Sequence, residues 1–167
     1  MAAPGPADAA QPGQARRVAV LTGADSLNAT EARYQVKSTD LGILWADQRG
    51  QILAAFGDTF GPGWAGPGSE VNDPTGSDWR SNTLARSSDH NLADGMAFTD
   101  FVTDRPGHAK ELLASFKQDN DEITKIPTGG VNVGGRNYLA YMSVRHFGPS
   151  GQWLTNYGGV AYSDDDG

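Results

Sequence analysis

Two apolar runs, DLGILWAD (residues 40–47) and QILAAFGD (51–58), flank Gln48-Arg49-Gly50 and read as one β-hairpin. A three-residue hairpin loop commonly ends on a left-handed residue, a position that suits Gly50. In that register opposing positions sum to 98, so Asp40 faces Asp58 on one side of the sheet. Directly opposed side chains start about 5 Å apart at Cβ. A slip of one residue would send them to opposite faces. Leu41, Ile43 and Trp45 line one face of the strands, and Leu44, Ala54 and Phe56 the other. That pattern predicts strands buried on both sides.

The rest of the chain reads as short strands and turns. RVAVLTG (17–23) predicts a strand, and 25–37 a loop with a helical turn at Thr30 to Arg33. Residues 61–78 form a long Gly/Pro-rich loop carrying Trp64, a candidate lid or subsite wall. RSNTLARSS (80–88) predicts a strand, followed by a turn at Asp89 to Gly95 and a strand over Ala97 to Thr103. HAKELLASF (108–116) is the one credible helix. Residues 122–134 and 136–147 predict paired strands across a Gly-rich turn, and 153–163 a further strand pair or a bulged strand. The expected class is all-β: a sandwich, barrel or propeller.

One turn narrows that choice. Ser163, Asp165 and Gly167 have Ser-x-Asp-x-Gly spacing and resemble the start of an Asp-box, the turn between outer strands of sialidase-like propeller blades. The expectation is that Asp165 accepts backbone N–H groups and Gly167 supplies a positive φ. LARSSD (84–89) echoes it, again a strand followed by Ser and Asp. An ordinary acidic turn would look the same.

Composition removes several classes of function. The 167 residues suit one domain or part of one, with 22 Gly and 9 Pro favouring short elements joined by tight turns. The formal net charge of −7 argues against nucleic acid and suits a neutral or cationic partner, a neutral polysaccharide among them. With no cysteine there is no disulfide, thiolate metal site or cysteine nucleophile. No apolar run is long enough for a membrane span. Residues 1–16 read as a disordered lead-in without a complete signal peptide. No P-loop, dinucleotide fingerprint, HExxH or GxSxG occurs, so neither cofactor nor metal is expected. The run Asp164-Asp165-Asp166 reads as a solvated acidic turn, and Asp78, Asp89, Asp94, Asp100 and Asp104 are spread among turns, most of them solvated.

The chemistry therefore centres on Asp40 and Asp58. Two carboxyls side by side are what acid/base hydrolysis of a glycosidic bond needs, one protonated and one ionised. Proximity itself separates their pKa values. Asp at strand ends also serves as an ordinary turn or cap residue. Trp79, Arg80 and Asn82 form a compact set for sugar binding: a flat ring and directed donors. Arg145 and His146, at the end of a strong strand, are further substrate-binding candidates. Core packing is the competing role for Trp79, and structural hydrogen bonding for His146.

The runs TDLGILW (39–45), AAFGDTFG (54–61), WRSN (79–82), IPTGG (126–130) and YLAYMSVRHFG (138–148) resemble one family, from about Val18 to the end of the chain. It is the actinobacterial domain-of-unknown-function family that includes the endo-D-arabinanases. The resemblance implies a five-bladed β-propeller, of which 17–167 would be the N-terminal half, about two blades, truncated at the C-terminus. It implies hydrolysis of internal D-arabinofuranosyl linkages in cell-wall arabinan (arabinogalactan and lipoarabinomannan), with inversion, by a secreted or envelope protein. By motif it places the catalytic acids at Asp40 (TDLG) and Asp58 (GDTF). Asp40 as base and Asp58 as acid is one assignment of the pair, and the sequence fits the exchanged roles equally well. Two other readings compete: a carbohydrate-binding propeller without catalysis, and an inactive structural fragment.

Overall fold

The computed structural model describes residues 15–67 and 76–167. Residues 1–14 of the expected lead-in and 68–75 of the 61–78 loop therefore lie outside the described residues. The all-β class is the one observed: the described residues hold a single five-residue helix, α1 (Thr30–Tyr34), where the helical turn was expected.

The strands are β1 (Ser38–Thr39), β2 (Ile43–Ala46), β3 (Ile52–Phe56), β4 (Thr59–Phe60), β5 (Thr83–Ser87), β6 (Asp100–Phe101), β7 (Thr103–Arg105), β8 (His108–Ala109), β9 (Thr124–Val133), β10 (Arg136–Phe147) and β11 (Trp153–Ser163). Two sheets dominate, a four-stranded β2-β3-β5-β6 and a three-stranded β9-β10-β11. Each is an antiparallel meander, and β1-β4 and β7-β8 form two small ladders. The sheets remain open, and the described residues close no ring.

The first hairpin has the expected register, with Ile43 opposite Ala55 and Ala46 opposite Ile52. Gly50 ends its turn at φ +81°. Asp47 fixes that turn, its Oδ1 accepting the Arg49 and Gln51 N–H groups, each at 2.8 Å. β3 is buried on both faces: Leu53 and Ala55 on one, Ala54 and Phe56 on the other. β2 is not, because it is the sheet edge, and Leu44 stays 54% exposed.

Three apolar clusters hold the fold. Phe56, Phe98 and Phe101 pack with Tyr34 and Val36 on one side of the four-stranded sheet. Leu53, Ala55, Leu84 and Val102 meet Leu139 between the two sheets. There Trp45 lies against Gly130, where an added Cβ would sit 2.1 Å from the indole ring. Its indole N–H donates to Asn137 at 3.1 Å. Phe60, Trp79, Ile123 and Val144 form the third cluster.

Two expected elements do not form. RVAVLTG pairs with no strand; Val20 only accepts the Leu27 N–H, and Val18 and Val20 stay half-exposed. HAKELLASF is not a helix. His108 and Ala109 are β8, and the buried Asn82 side chain binds the Leu113 N–H and carbonyl while its own carbonyl takes the Leu112 N–H. Backbone groups a helix would have used are thus claimed by tertiary contacts.

In the turn after β11 the serine shares the role expected of Asp165, whose carboxyl is lowered by the Ser163 hydroxyl and also by the Asp165 and Gly167 N–H groups. The Ser163 hydroxyl oxygen accepts the N–H groups of Asp165 and Gly167, and Asp165 receives the hydroxyl proton. Gly167 has the expected positive φ, +123°. The acidic run is paired rather than merely solvated: Asp164 with Arg136, Asp166 with Arg49 and Asn137.

Candidate active site

Asp40 and Asp58 sit where the hairpin is interrupted. The outer ladder pairs Ser38 with Phe60 and Thr39 with Thr59, and the inner one begins at Ile43 and Ala55. Both keep the same register, so Asp40 falls across from Asp58 in the gap. The Asp40 N–H donates to the Asp58 carbonyl at 3.3 Å, and the Asp40 carbonyl accepts the Gly57 N–H at 3.0 Å. Leu41 takes a left-handed φ of +57°, which bends the chain there. Gly57 leaves room for the Asp40 carboxyl: an added Cβ would lie 2.3 Å from Asp40 Oδ1.

The two carboxyls have different surroundings. Asp58 is 7% exposed. Its Oδ1 accepts the Trp79 indole N–H at 2.8 Å and the Thr124 hydroxyl, so Oδ2 is left to carry a proton. Burial raises the carboxyl most; Thr124 and Trp79 oppose that, Asp40 adds to it and Lys117 offsets it, leaving Asp58 at about 7. Asp40 is exposed by surface area, yet enough protein surrounds its carboxyl to raise it by desolvation, against the pull of the Asp58 and Asp40 N–H groups. The open Asp40 ionises first, and the buried Asp58 keeps its proton close to neutrality.

The other expected site residues are used differently. Trp79 is 7% exposed and offers its edge to Asp58, with Phe60 at 6.0 Å and the Lys117 ammonium 5.3 Å from its ring centre. It orients the carboxyl instead of presenting a flat face to a sugar. Arg80 is buried and braces the framework, donating to the Ala109 and Gln35 carbonyls at 3.1 and 2.6 Å. Asn82 is fully buried, holding the 112–113 segment and the Lys125 carbonyl. Arg145 and His146 belong to another network, bonding the Asn120 carbonyl and the Asp119 carboxylate. Trp64 stacks on Phe60, ring centres 5.2 Å apart, and so flanks the third cluster. Asp78 and Asp104 are not free turn residues, since each contacts one ring nitrogen of the buried His108, at 3.1 and 2.7 Å.

Thr124 and Lys117 were not found by sequence reasoning. A β-branched residue in a strand carries no signal of its partner, and Lys117 adopts φ +55° without the usual Gly or Asn. Among the described residues no group of three or more His, Cys, Asp or Glu is placed to hold a metal. No helix of theirs is long and apolar enough to cross a membrane.

Residues 25–167 match the family described as domain of unknown function DUF4185. The chain belongs to that family. This DUF4185 chain is 29% identical over 144 residues to notoamide biosynthesis cluster protein J of Aspergillus sp. (strain MF297-2). It is 30% identical over 142 residues to notoamide biosynthesis cluster protein J' of Aspergillus versicolor. Each match covers 80% of the chain and 36% of the relative, so the chain spans about a third of the length of the curated relatives it matches. A solved structure from Bacteroides ovatus ATCC 8483, described as a "putative hydrolase", is similar at 12% identity with a TM-score of 0.48, over 83% of this chain and 38% of that one.

Proposed function

We propose that this DUF4185 chain carries the acid–base pair of a glycoside hydrolase, with Asp58 as general acid and Asp40 as base. The observation that supports this most is the difference between two carboxyls facing each other in one hairpin. One is buried and raised to about 7; the other is exposed. Asp58 Oδ2 delivers a proton to the leaving glycosidic oxygen, and Asp40 activates water on the opposite side of the ring. Proton transfer of this kind supplies roughly 10²–10⁴-fold of the acceleration.

For the substrate class, the family resemblance supports internal D-arabinofuranosyl linkages of cell-wall arabinan, and with them a location outside the cell or in its envelope. The net charge of −7 fits a neutral polysaccharide. The same reading makes the two sheets successive blades of a propeller. β5 and β11 are each the third strand of a meander, and each ends in a Ser-x-Asp turn whose serine oxygen accepts the Asp N–H, at 3.0 and 3.2 Å. Like turns at like places are what repeated blades present.

The test is oligosaccharide release from purified arabinogalactan by the protein and by Asp40→Asn and Asp58→Asn. The expected result is release by the wild type, lost in both variants, with an inverted first-formed anomer by NMR. A folded wild type that releases nothing would sink the hydrolase reading. Retained arabinan binding in both variants would then favour a carbohydrate-binding module.

A further inference from the structure

Lys117 is an outlier in two respects. It is a non-glycine residue at φ +55°, a conformation that persists only where its surroundings enforce it. Its ammonium is nearly enclosed, with 15% side-chain exposure, and all three of its donors are engaged. They reach Ser81 Oγ at 2.5 Å, Ser115 Oγ at 3.1 Å and the Glu111 carboxylate. Glu111 also accepts the Ser81 N–H at 2.7 Å, so the Lys117–Glu111 pair fastens the 111–117 segment two residues beyond Trp79.

We infer that Lys117 is a positioning residue that acts on Asp58 through Trp79. Its ammonium lies over the indole ring, and the indole N–H is bonded to Asp58 Oδ1. A cation over the ring withdraws electron density and makes the N–H a stronger donor. That bond and the Thr124 hydroxyl hold Oδ1, which keeps the transferable proton on Oδ2. The charged groups acting on Asp58 are Asp40 across the hairpin and Lys117 beyond the indole. Lys117 in turn is partly neutralised by Glu111. The ion pair therefore sets how readily the acid releases its proton.

This inference rests on the hydrolase reading for its purpose, and its test is independent of activity. The protein is labelled with ¹³C at aspartate carboxyls and ¹⁵N at tryptophan, with the Asp58 signal identified by its loss in Asp58→Asn. Removing the cation in Lys117→Met should raise the Asp58 midpoint by about one pH unit. It should also move the Trp79 indole proton upfield as its hydrogen bond weakens. Glu111→Gln keeps the cation and removes its counter-charge, so the midpoint should fall. Opposite shifts in the two variants establish the assignment, because general loosening would move both the same way. An unchanged midpoint in folded Lys117→Met overturns it. Should that variant not fold, an unchanged or raised midpoint in Glu111→Gln overturns it. Failure of the hydrolase reading would appear elsewhere, as a wild type that leaves arabinogalactan intact while these shifts persist.

Discussion

Replacing Asp58 by Asn should make the protein more stable at pH 8 while abolishing hydrolysis. Asp58 is raised from 3.8 to about 7, chiefly by burial. Between those values the folded chain holds a proton that the unfolded chain has released. Stability therefore falls as pH rises through that window; below 3.8 both states hold the proton, and above about 7 neither does. A shift of about three units corresponds to a destabilisation of about 4 kcal/mol above pH 7. Asparagine keeps an oxygen for Trp79 and Thr124 but puts an amide where Oδ2 was, and burying those donors takes back about 1–2 kcal/mol. The remaining 2–3 kcal/mol, roughly, is worth about 5–10 °C in Tm for a chain of this size. Thermal melts of wild type and Asp58→Asn at pH 8 and pH 4 read this directly. The variant should lead at pH 8 and lose its lead at pH 4. Parallel curves, or a variant less stable at pH 8, would refute the claim that Asp58 is held desolvated.

Gly57→Ala should leave Tm nearly unchanged yet cut activity about 10²-fold, because the new methyl would sit 2.3 Å from Asp40 Oδ1 and displace that carboxyl; undiminished activity would show that the position of Asp40 is immaterial. Thr124→Val removes a hydrogen bond that lowers the Asp58 pKa, so the basic limb of the pH–activity profile should move to higher pH; a limb that stays in place argues against Asp58 as the acid. Asn82→Ala breaks three hydrogen bonds made by a fully buried side chain and should cost about 3 kcal/mol by urea denaturation, whereas a near-neutral result would mean that the 112–113 segment is held by something else.

The hairpin was legible because its information is local. Apolar runs, a glycine at the turn and the two-residue period of strands suffice to put Asp40 opposite Asp58. The difference between the two carboxyls was not legible, since it depends on Trp79 and Thr124, which arrive from 21 and 66 positions away. Arg80 and Asn82 show the same limit: residue type reveals that donors exist but not which backbone carbonyls will take them. The helix expected at 108–116 failed for a related reason, as one buried asparagine outweighed the local pattern. At 17–23 the alternating apolar residues suggest a strand, but a strand also needs a neighbour to pair with, and Val18 and Val20 stay half-exposed.

The division of the site between near and distant partners gives it an order of assembly. Asp40 and Asp58 are joined by one short turn, and contacts of such small sequence separation close early in folding. Thr124 reaches Asp58 only when β9 docks, a closure spanning 66 residues with a larger loop entropy to overcome. Until then Asp58 is an ordinary water-exposed acid, ionised at neutral pH. Proton uptake by Asp58 therefore accompanies the docking of β9, after the hairpin has formed. In weakly buffered solution near pH 6, a pH indicator would report the docking of β9 separately from the backbone signals that follow the hairpin.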